Sequence, residues 1–320
     1  MNSFGNRFKV TVFGESHGET MGVTLDNIPP GIELCTDDFT HDIERRKPGK
    51  KGTTPRVESD IPTIATGLFN GKTTGAPLTL LVENKNKRSK DYDKTKAFNR
   101  PGHADFVASK KFKGFEDYRG GGHFSGRLTV LLVYAGVIAK KLLPDLSINA
   151  KLIEIAGEKD LDKGLQKGID NKDSVGGIVE CRVKNIPIGW GEPFFDSAEA
   201  IISHAVFSIP AVRGIEFGTG FKATSMFGSQ HNDTYTDNKG TTKTNNCGGI
   251  IGGITNGNEL VFRIAIKPTS SVGKTQLSWN KKEKEIQELN IKGRHDLCIA
   301  LRVPVVLEAI TAIALLDLKM

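Results

Sequence analysis

The residues of this chain best suited to chemistry sit in six short segments broken by glycine or proline. Gly14-Glu15-Ser16-His17-Gly18 places a hydroxyl beside an imidazole in one turn. Arg45-Arg46-Lys47-Pro48-Gly49 and Arg100-Pro101-Gly102-His103-Ala104-Asp105 carry cations on backbone stiffened by proline. Asp117-Tyr118-Arg119-Gly120-Gly121-Gly122 offers backbone that a ligand or another strand can approach closely. Lys267-Pro268-Thr269-Ser270-Ser271 and Gly293-Arg294-His295-Asp296 add hydroxyls, an imidazole and a carboxylate. Arginine on a rigid loop suits recognition of carboxylate or phosphate. An imidazole titrating near neutrality suits proton transfer.

Three familiar signatures nearly fit. Gly273-Lys274-Thr275 looks like the end of a P-loop, but Pro268 stands where its first glycine is required. Gly218-Thr219-Gly220 lacks the third glycine of a dinucleotide fingerprint. Gly14–Gly18 satisfies the G-x-S-x-G elbow of serine hydrolases, which must run straight into a helix. Here Glu19–Asn27 reads as a strand. A hydrolase using Ser16 stays open as an alternative.

Charge narrows the ligand. The chain has 320 residues, with 44 Lys+Arg and 37 Asp+Glu, a formal net charge of +7. Glu44–Arg56 holds six basic residues and one acid, and Lys85–Arg100 seven and two, so these segments carry more than the whole excess. Such runs fit a nucleic acid, an acidic membrane face or a small polyanion. Single-strand binders interleave cations with aromatic platforms. The first run has none and the second only Tyr92 and Phe98, which argues against nucleic acid; a non-catalytic basic RNA-binding protein is the alternative of that class.

The opening residues lack the apolar run of a signal peptide. Leu128–Ala139 and Val303–Leu316 are shorter than a bilayer span and read as buried helices, so a cytoplasmic protein is expected. Cys35, Cys181, Cys247 and Cys298 form no C-x-x-C, and neither disulfide framework nor metal site is expected. The elements that must carry the loops follow from periodicity. Arg7–Phe13, Gly22–Asn27, Ile178–Asn185, Gly214–Gly218 and Glu259–Ile266 read as strands. Asp37–Arg46, Ala104–Phe112, Leu128–Leu143, Ser197–Phe207 and Pro304–Leu318 read as helices. They alternate without a βαβ rhythm, which favours an α+β or layered mixed fold. Thr224–Asn246 is polar, with little to pack, and reads as a disordered insertion or a mobile loop that orders over a ligand.

Taken together and in order, the six segments resemble the chorismate synthase family from end to end. The resemblance implies one α+β domain over residues 1–320, a layered β-α-β sandwich, assembled as a homotetramer. It implies a carbon–oxygen lyase of the shikimate pathway, converting 5-enolpyruvylshikimate 3-phosphate to chorismate by anti 1,4-elimination of phosphate. Reduced FMN would be the cofactor, with no net redox change. By this resemblance His17 assists the leaving phosphate, His103 hydrogen-bonds the reduced flavin and Asp296 manages a flavin proton beside Arg294 and His295. Ser16, Arg46, Arg100 and Arg127 would hold the two carboxylates and phosphate of the substrate, with Arg45 and Arg56 as further candidates. FMN would be held by His123, Phe124 and Ser125, by Pro210 and Ala211, and by Gly252. Lys267, Pro268, Thr269, Ser270, Ser271 and Arg294 would complete that set. With no dinucleotide fingerprint, an external flavin reductase is the expected source of reduced FMN; NADPH enters only if the chain is bifunctional.

The chain also departs from the family pattern. The family's usual Arg-Ser-Ser-Ala-Arg-Glu after the triple glycine is here His123-Phe124-Ser125-Gly126-Arg127-Leu128. Pro210 stands where a cofactor-contacting Asn is usual, and Leu297 where Pro is usual. The run after Lys50 is one residue short of the pattern. These changes put a paralogue with weakened flavin binding beside the active enzyme.

Overall fold

Period-two alternation builds the first sheet. β1 (Ser3–Phe4), β2 (Lys9–Phe13) and β3 (Thr20–Asp26) form an antiparallel meander. Helix α1 (Thr40–Arg46) follows, then β4 (Thr63–Thr66), a ribbon of β5 (Leu68–Phe69) and β6 (Lys72–Thr73), and β7 (Leu78–Glu83). The strand order is β1-β2-β3-β7-β4. Val10 pairs with Leu25 and Val23 with Leu80, so Val10, Met21, Val23, Leu25, Leu78, Leu80 and Val82 share one buried face. The computed structural model describes residues 2–54, 58–85, 97–291 and 295–319.

Two helices, α2 (Asp105–Lys111) and α3 (Thr129–Lys141), lead to the second half. There β8 (Ser147–Ile155), α4 (Leu161–Asp170), β9 (Gly177–Lys184), α5 (Ala198–Val206) and β10 (Val212–Phe217) succeed one another. A short α6 (Gly228–His231), a tight hairpin of β11 (Ile250–Ile251) and β12 (Ile254–Thr255), and β13 (Leu260–Ile266) come next. A hairpin of β14 (Gln276–Asn280) and β15 (Glu285–Leu289) precedes α7 (Val303–Lys319). The second sheet runs β10-β13-β9-β8, antiparallel throughout, with Val179, Cys181, Val183, Phe262 and Ile264 buried.

Helices α3 and α7 fill the space between the sheets, α3 against β3 and α7 against β8 and β9. Both are apolar on nearly every side, as a middle layer requires. They touch through Gly136, where a Cβ would lie 2.3 Å from that of Ala309. The expected β-α-β sandwich is therefore present. The apolar stretch of α7 runs further than its sequence suggested: Ile299–Lys319 is long and apolar enough to cross a membrane, yet 78% of that window is buried inside the fold.

One carboxylate interrupts this layer. Glu308, 2% exposed, accepts hydrogen bonds from both terminal nitrogens of Arg45 at 2.6 Å, from Lys140 at 3.3 Å and from the Ala150 backbone at 3.0 Å. It ties α1, α3, α7 and β8 together, and it turns Arg45 into the core rather than towards a substrate. Glu308→Ala leaves two partly exposed cations, Arg45 and Lys140, sharing Asp42 as their remaining carboxylate, at 3.3 and 2.7 Å. We expect a loss of about 2 kcal/mol, below the range for a fully buried pair because Arg45 and Lys140 retain some water. Urea unfolding monitored by circular dichroism measures it.

Candidate active site

The loops leaving these elements converge at one end of the sandwich. The turn after β2, the end of α1, the loop before α2, the first turns of α3 and α7 and the loop after β13 all line two adjoining cavities, of about 680 and 560 Å³. The cavities share Arg100, His103, Ala104, His123 and Phe124. Among the described residues the smaller is walled by Arg46, Arg100, Arg127, Lys267 and Arg302 against Glu58, Asp60 and Asp296. Thr129 and Val303, which open α3 and α7, also lie on its wall, so two helix N-termini add positive potential there.

Asp60, 3% exposed, organises two of these cations. Its Oδ2 accepts from Arg46 at 3.0 Å and its Oδ1 from Arg127 at 2.5 Å, while its carbonyl accepts from Tyr134 at 2.6 Å. Arg46 is 2% exposed and also donates to Thr129 Oγ1 and to the carbonyls of Gly126 and Arg127. Burial, with Arg302 and Arg127 nearby, pulls its guanidinium down to about 9, so it stays a cation at neutral pH. Arg127 donates from Nε to Asn84, but among the described residues its buried Nη2 has no hydrogen-bond partner. Thr269 Oγ1 and His295 Nε2 are orphaned in the same way on the same cavity. Buried polar atoms of this kind are rare unless a ligand completes them.

The loop after β13 is held to the loop before α2: Lys267 Nζ and Ser270 Oγ both donate to Gly102 O, at 2.5 and 2.7 Å. Pro268, Thr269 and Ser271 line the smaller cavity with them, as do Pro210 and Ala211. Asp296 accepts from Thr54 N at 2.8 Å and from Arg302 at 3.2 Å. Burial, then the Arg100 charge, lowers the pKa of His295, which favours its neutral form. His123 contacts Gly14 O at 2.9 Å through Nδ1 and Asn2 Oδ1 at 3.1 Å through Nε2. Phe124, 40% exposed, faces both cavities, and Ser125 Oγ accepts from Arg127 N.

The triple-glycine turn separates two imidazoles. Gly120, Gly121 and Gly122 all have positive φ, at 61°, 92° and 53°. A Cβ on Gly120 would meet the His17 ring at 2.1 Å, and one on Gly121 would meet His103 Nε2 at 3.2 Å. His17 and Ser16 are 3% and 1% exposed and lie behind Gly120, which itself lines the smaller cavity. Ser16 Oγ is 3.2 Å from His17 Nδ1, but the chain continues into strand β3 rather than a helix, so the hydrolase elbow is not formed.

Sequence reasoning grouped most of this site. Gly252 stands apart, in the β11–β12 turn and on the wall of neither cavity. Thr224–Asn246 also lines neither; it contains α6, and Asp233 accepts from Thr244, Asn246 and Cys247 across it. Arg56, Arg294 and most of the Lys85–Lys96 run lie outside the described residues. Asp60, Asn84 and Arg302 were missed; each is an isolated polar residue whose meaning comes only from tertiary pairing. Among the described residues no group of three or more His, Cys, Asp or Glu is placed to hold a metal ion.

A family model described as chorismate synthase matches residues 8–320. The chain belongs to the chorismate synthase family. It is similar to the chorismate synthase of Chitinophaga pinensis, 63% identical over 318 residues, covering 99% of this chain and 96% of the relative. The chorismate synthase of Methanocaldococcus jannaschii is 44% identical over 363 residues, covering 99% and 96%. A crystal structure of chorismate synthase superposes with a TM-score of 0.76 at 24% identity, covering 98% of this chain and 92% of that one, which supports the fold. Within the family pattern, Leu297 gains a use that a proline could not serve: its N–H donates to Gly52 O at 3.0 Å.

Proposed function

We propose that this chain converts 5-enolpyruvylshikimate 3-phosphate to chorismate and phosphate with reduced FMN in the cleft, as a cytoplasmic homotetramer. The observation that carries the reading is a set of buried donors and acceptors on a cation-rich cavity that have no partner among the described residues: Arg127 Nη2, Thr269 Oγ1 and His295 Nε2. A ligand bearing several anionic groups and ring heteroatoms would satisfy all three. The residues present fit such a cofactor and substrate together.

Reduced FMN, when bound, would lend electron density to expulsion of phosphate and recover it as the C–H bond breaks, leaving no net redox change. The Lys267–Ser271 loop, His123, Phe124 and Ser125 would hold it, with Pro210 and Ala211. Arg127 and Arg46, spaced by Asp60, would fix substrate anions. His17 would give a proton or a positive charge to the departing phosphate, which requires the glycine turn to move off its ring. His103 would donate or accept a hydrogen bond at the cofactor, and Asp296, paired with Arg302, would hold a proton near it. The apolar walls and buried helices exclude water from the reacting groups. An external reductase would supply the reduced flavin.

The test is anaerobic incubation with FMN, dithionite and 5-enolpyruvylshikimate 3-phosphate, following chorismate absorbance and phosphate release. Equimolar chorismate and phosphate are expected. No product at saturating reduced flavin overturns the proposal, and tight flavin-independent binding of an oligonucleotide at physiological salt would replace it.

A further inference from the structure

We infer that Asp105 is the positioning residue for His103, holding the proton on Nδ1 and leaving Nε2 as the nitrogen offered to a ligand. The inference deepens the functional reading above and rests on it for what His103 then does.

The geometry is specific. Asp105 Oδ1 lies 2.6 Å from His103 Nδ1 and 2.8 Å from Arg100 Nη2. Its Oδ2 accepts from the Arg100 backbone at 3.0 Å and from Arg100 Nε at 2.8 Å. Burial pushes this carboxyl up, but hydrogen bonds from Arg100 and His103 outweigh it and hold Asp105 well below the usual carboxylate range. An ionised carboxylate only accepts, so the proton in the 2.6 Å contact belongs to Nδ1, and the 3.2 Å approach of Arg100 Nη2 to the same nitrogen is then a contact between two donors that the shorter carboxylate bond outweighs. The other nitrogen, Nε2, lies beside Gly121 on the wall of the larger cavity, where the missing side chain leaves room. Arg100 thereby changes role. The sequence marks it as a substrate clamp, whereas its Nε and Nη2 brace the carboxylate that orients the imidazole.

An isosteric amide exposes the difference between orienting a proton and filling space. In Asp105→Asn, an NH2 group at the Oδ2 position would face two Arg100 donors that cannot change. At the Oδ1 position it would face Arg100 Nη2 and a histidine that can respond by shifting its proton to Nε2. The amide is therefore expected to take the Oδ1 position and reverse the tautomer.

Nitrogen-15 labelling of histidine, with correlation spectra recorded where the ring is neutral, reads this directly. The unmodified protein should show His103 protonated on Nδ1, and Asp105→Asn should show it on Nε2. In the anaerobic assay Asp105→Asn should lower kcat about 10- to 100-fold, the scale seen for carboxylates that orient metal-bound histidines, with KM changed much less. Asp105→Glu, which keeps an acceptor on a longer arm, should recover part of kcat. A neutral His103 protonated on Nε2 in the unmodified protein overturns the inference, as does an asparagine variant with full kcat. The unmodified spectrum decides the tautomer even if Asp105→Asn does not fold. Correct tautomers in an inactive protein would instead count against the functional reading.

Discussion

Arg127→Ala is expected to lower kcat/KM for 5-enolpyruvylshikimate 3-phosphate about a thousandfold, roughly 4 kcal/mol, the scale for removing one partner of a desolvated charge pair. The guanidinium has three tasks that a smaller group cannot combine. Nη1 binds Asp60, Nε binds Asn84, and Nη2, without a partner among the described residues, is the donor proposed for the substrate. Its removal also leaves Asp60 to face the incoming anion with Arg46 as its remaining cation. Arg127→Lys should recover little, because an ammonium cannot hold Asp60 and a ligand in fixed geometry at once. Steady-state kinetics with circular dichroism as a folding control measure the effect. A loss below tenfold in a folded variant would overturn the proposed role of Arg127 in binding substrate.

Gly120→Ala should be nearly as damaging, by about a hundredfold or more in kcat, although it adds one methyl group. That methyl would lie 2.1 Å from the His17 ring and 3.0 Å from Ser16 Oγ, at a backbone φ of 61°. The ring must swing aside, and its displacement forfeits the general-acid contribution proposed for His17. Stability should fall by only about 1 kcal/mol, the cost of a side chain at positive φ, because the end of a side chain yields more easily than backbone. Comparison with His17→Ala separates the causes: the double variant should be no slower than the worse single one. Additive losses would show that Gly120 acts by some other route.

Much of this architecture can be seen in the sequence, and the omissions have physical reasons. The strands around Val10 and Val23 declare themselves by alternation, α5 by its cap, with Ser197 accepting from Ala200 N, and α3 and α7 by long apolar runs. Strand β7 does not. Its Leu78-Thr79-Leu80-Leu81-Val82 lies inside the sheet between β3 and β4, and Leu81 on the less buried face breaks the alternation of the sequence. Strand β8 mixes charge with apolar residues because only part of its length is covered. Helix α4 carries a cap at Asp160, but its glycines lower helix propensity and pack against Ile155 and Leu297. In the site, motif residues could be found by composition. Asp60 could not, since a lone acid near a basic run gives no sign that two distant arginines share it.

Helix α7 has a further consequence for the order of events as the chain is made. It follows every other described element, yet it packs on α3, α5, β8 and β9 at the middle of the sandwich. A nascent chain that has released both sheets but not this helix exposes their facing surfaces, with Arg45 and Lys140 still awaiting Glu308. Packing of the two sheets is therefore expected to wait for α7 and to be abrupt once it arrives, this helix acting as a keystone rather than an addition to a finished body. Chaperones that cover apolar surface should find their main opportunity in that interval.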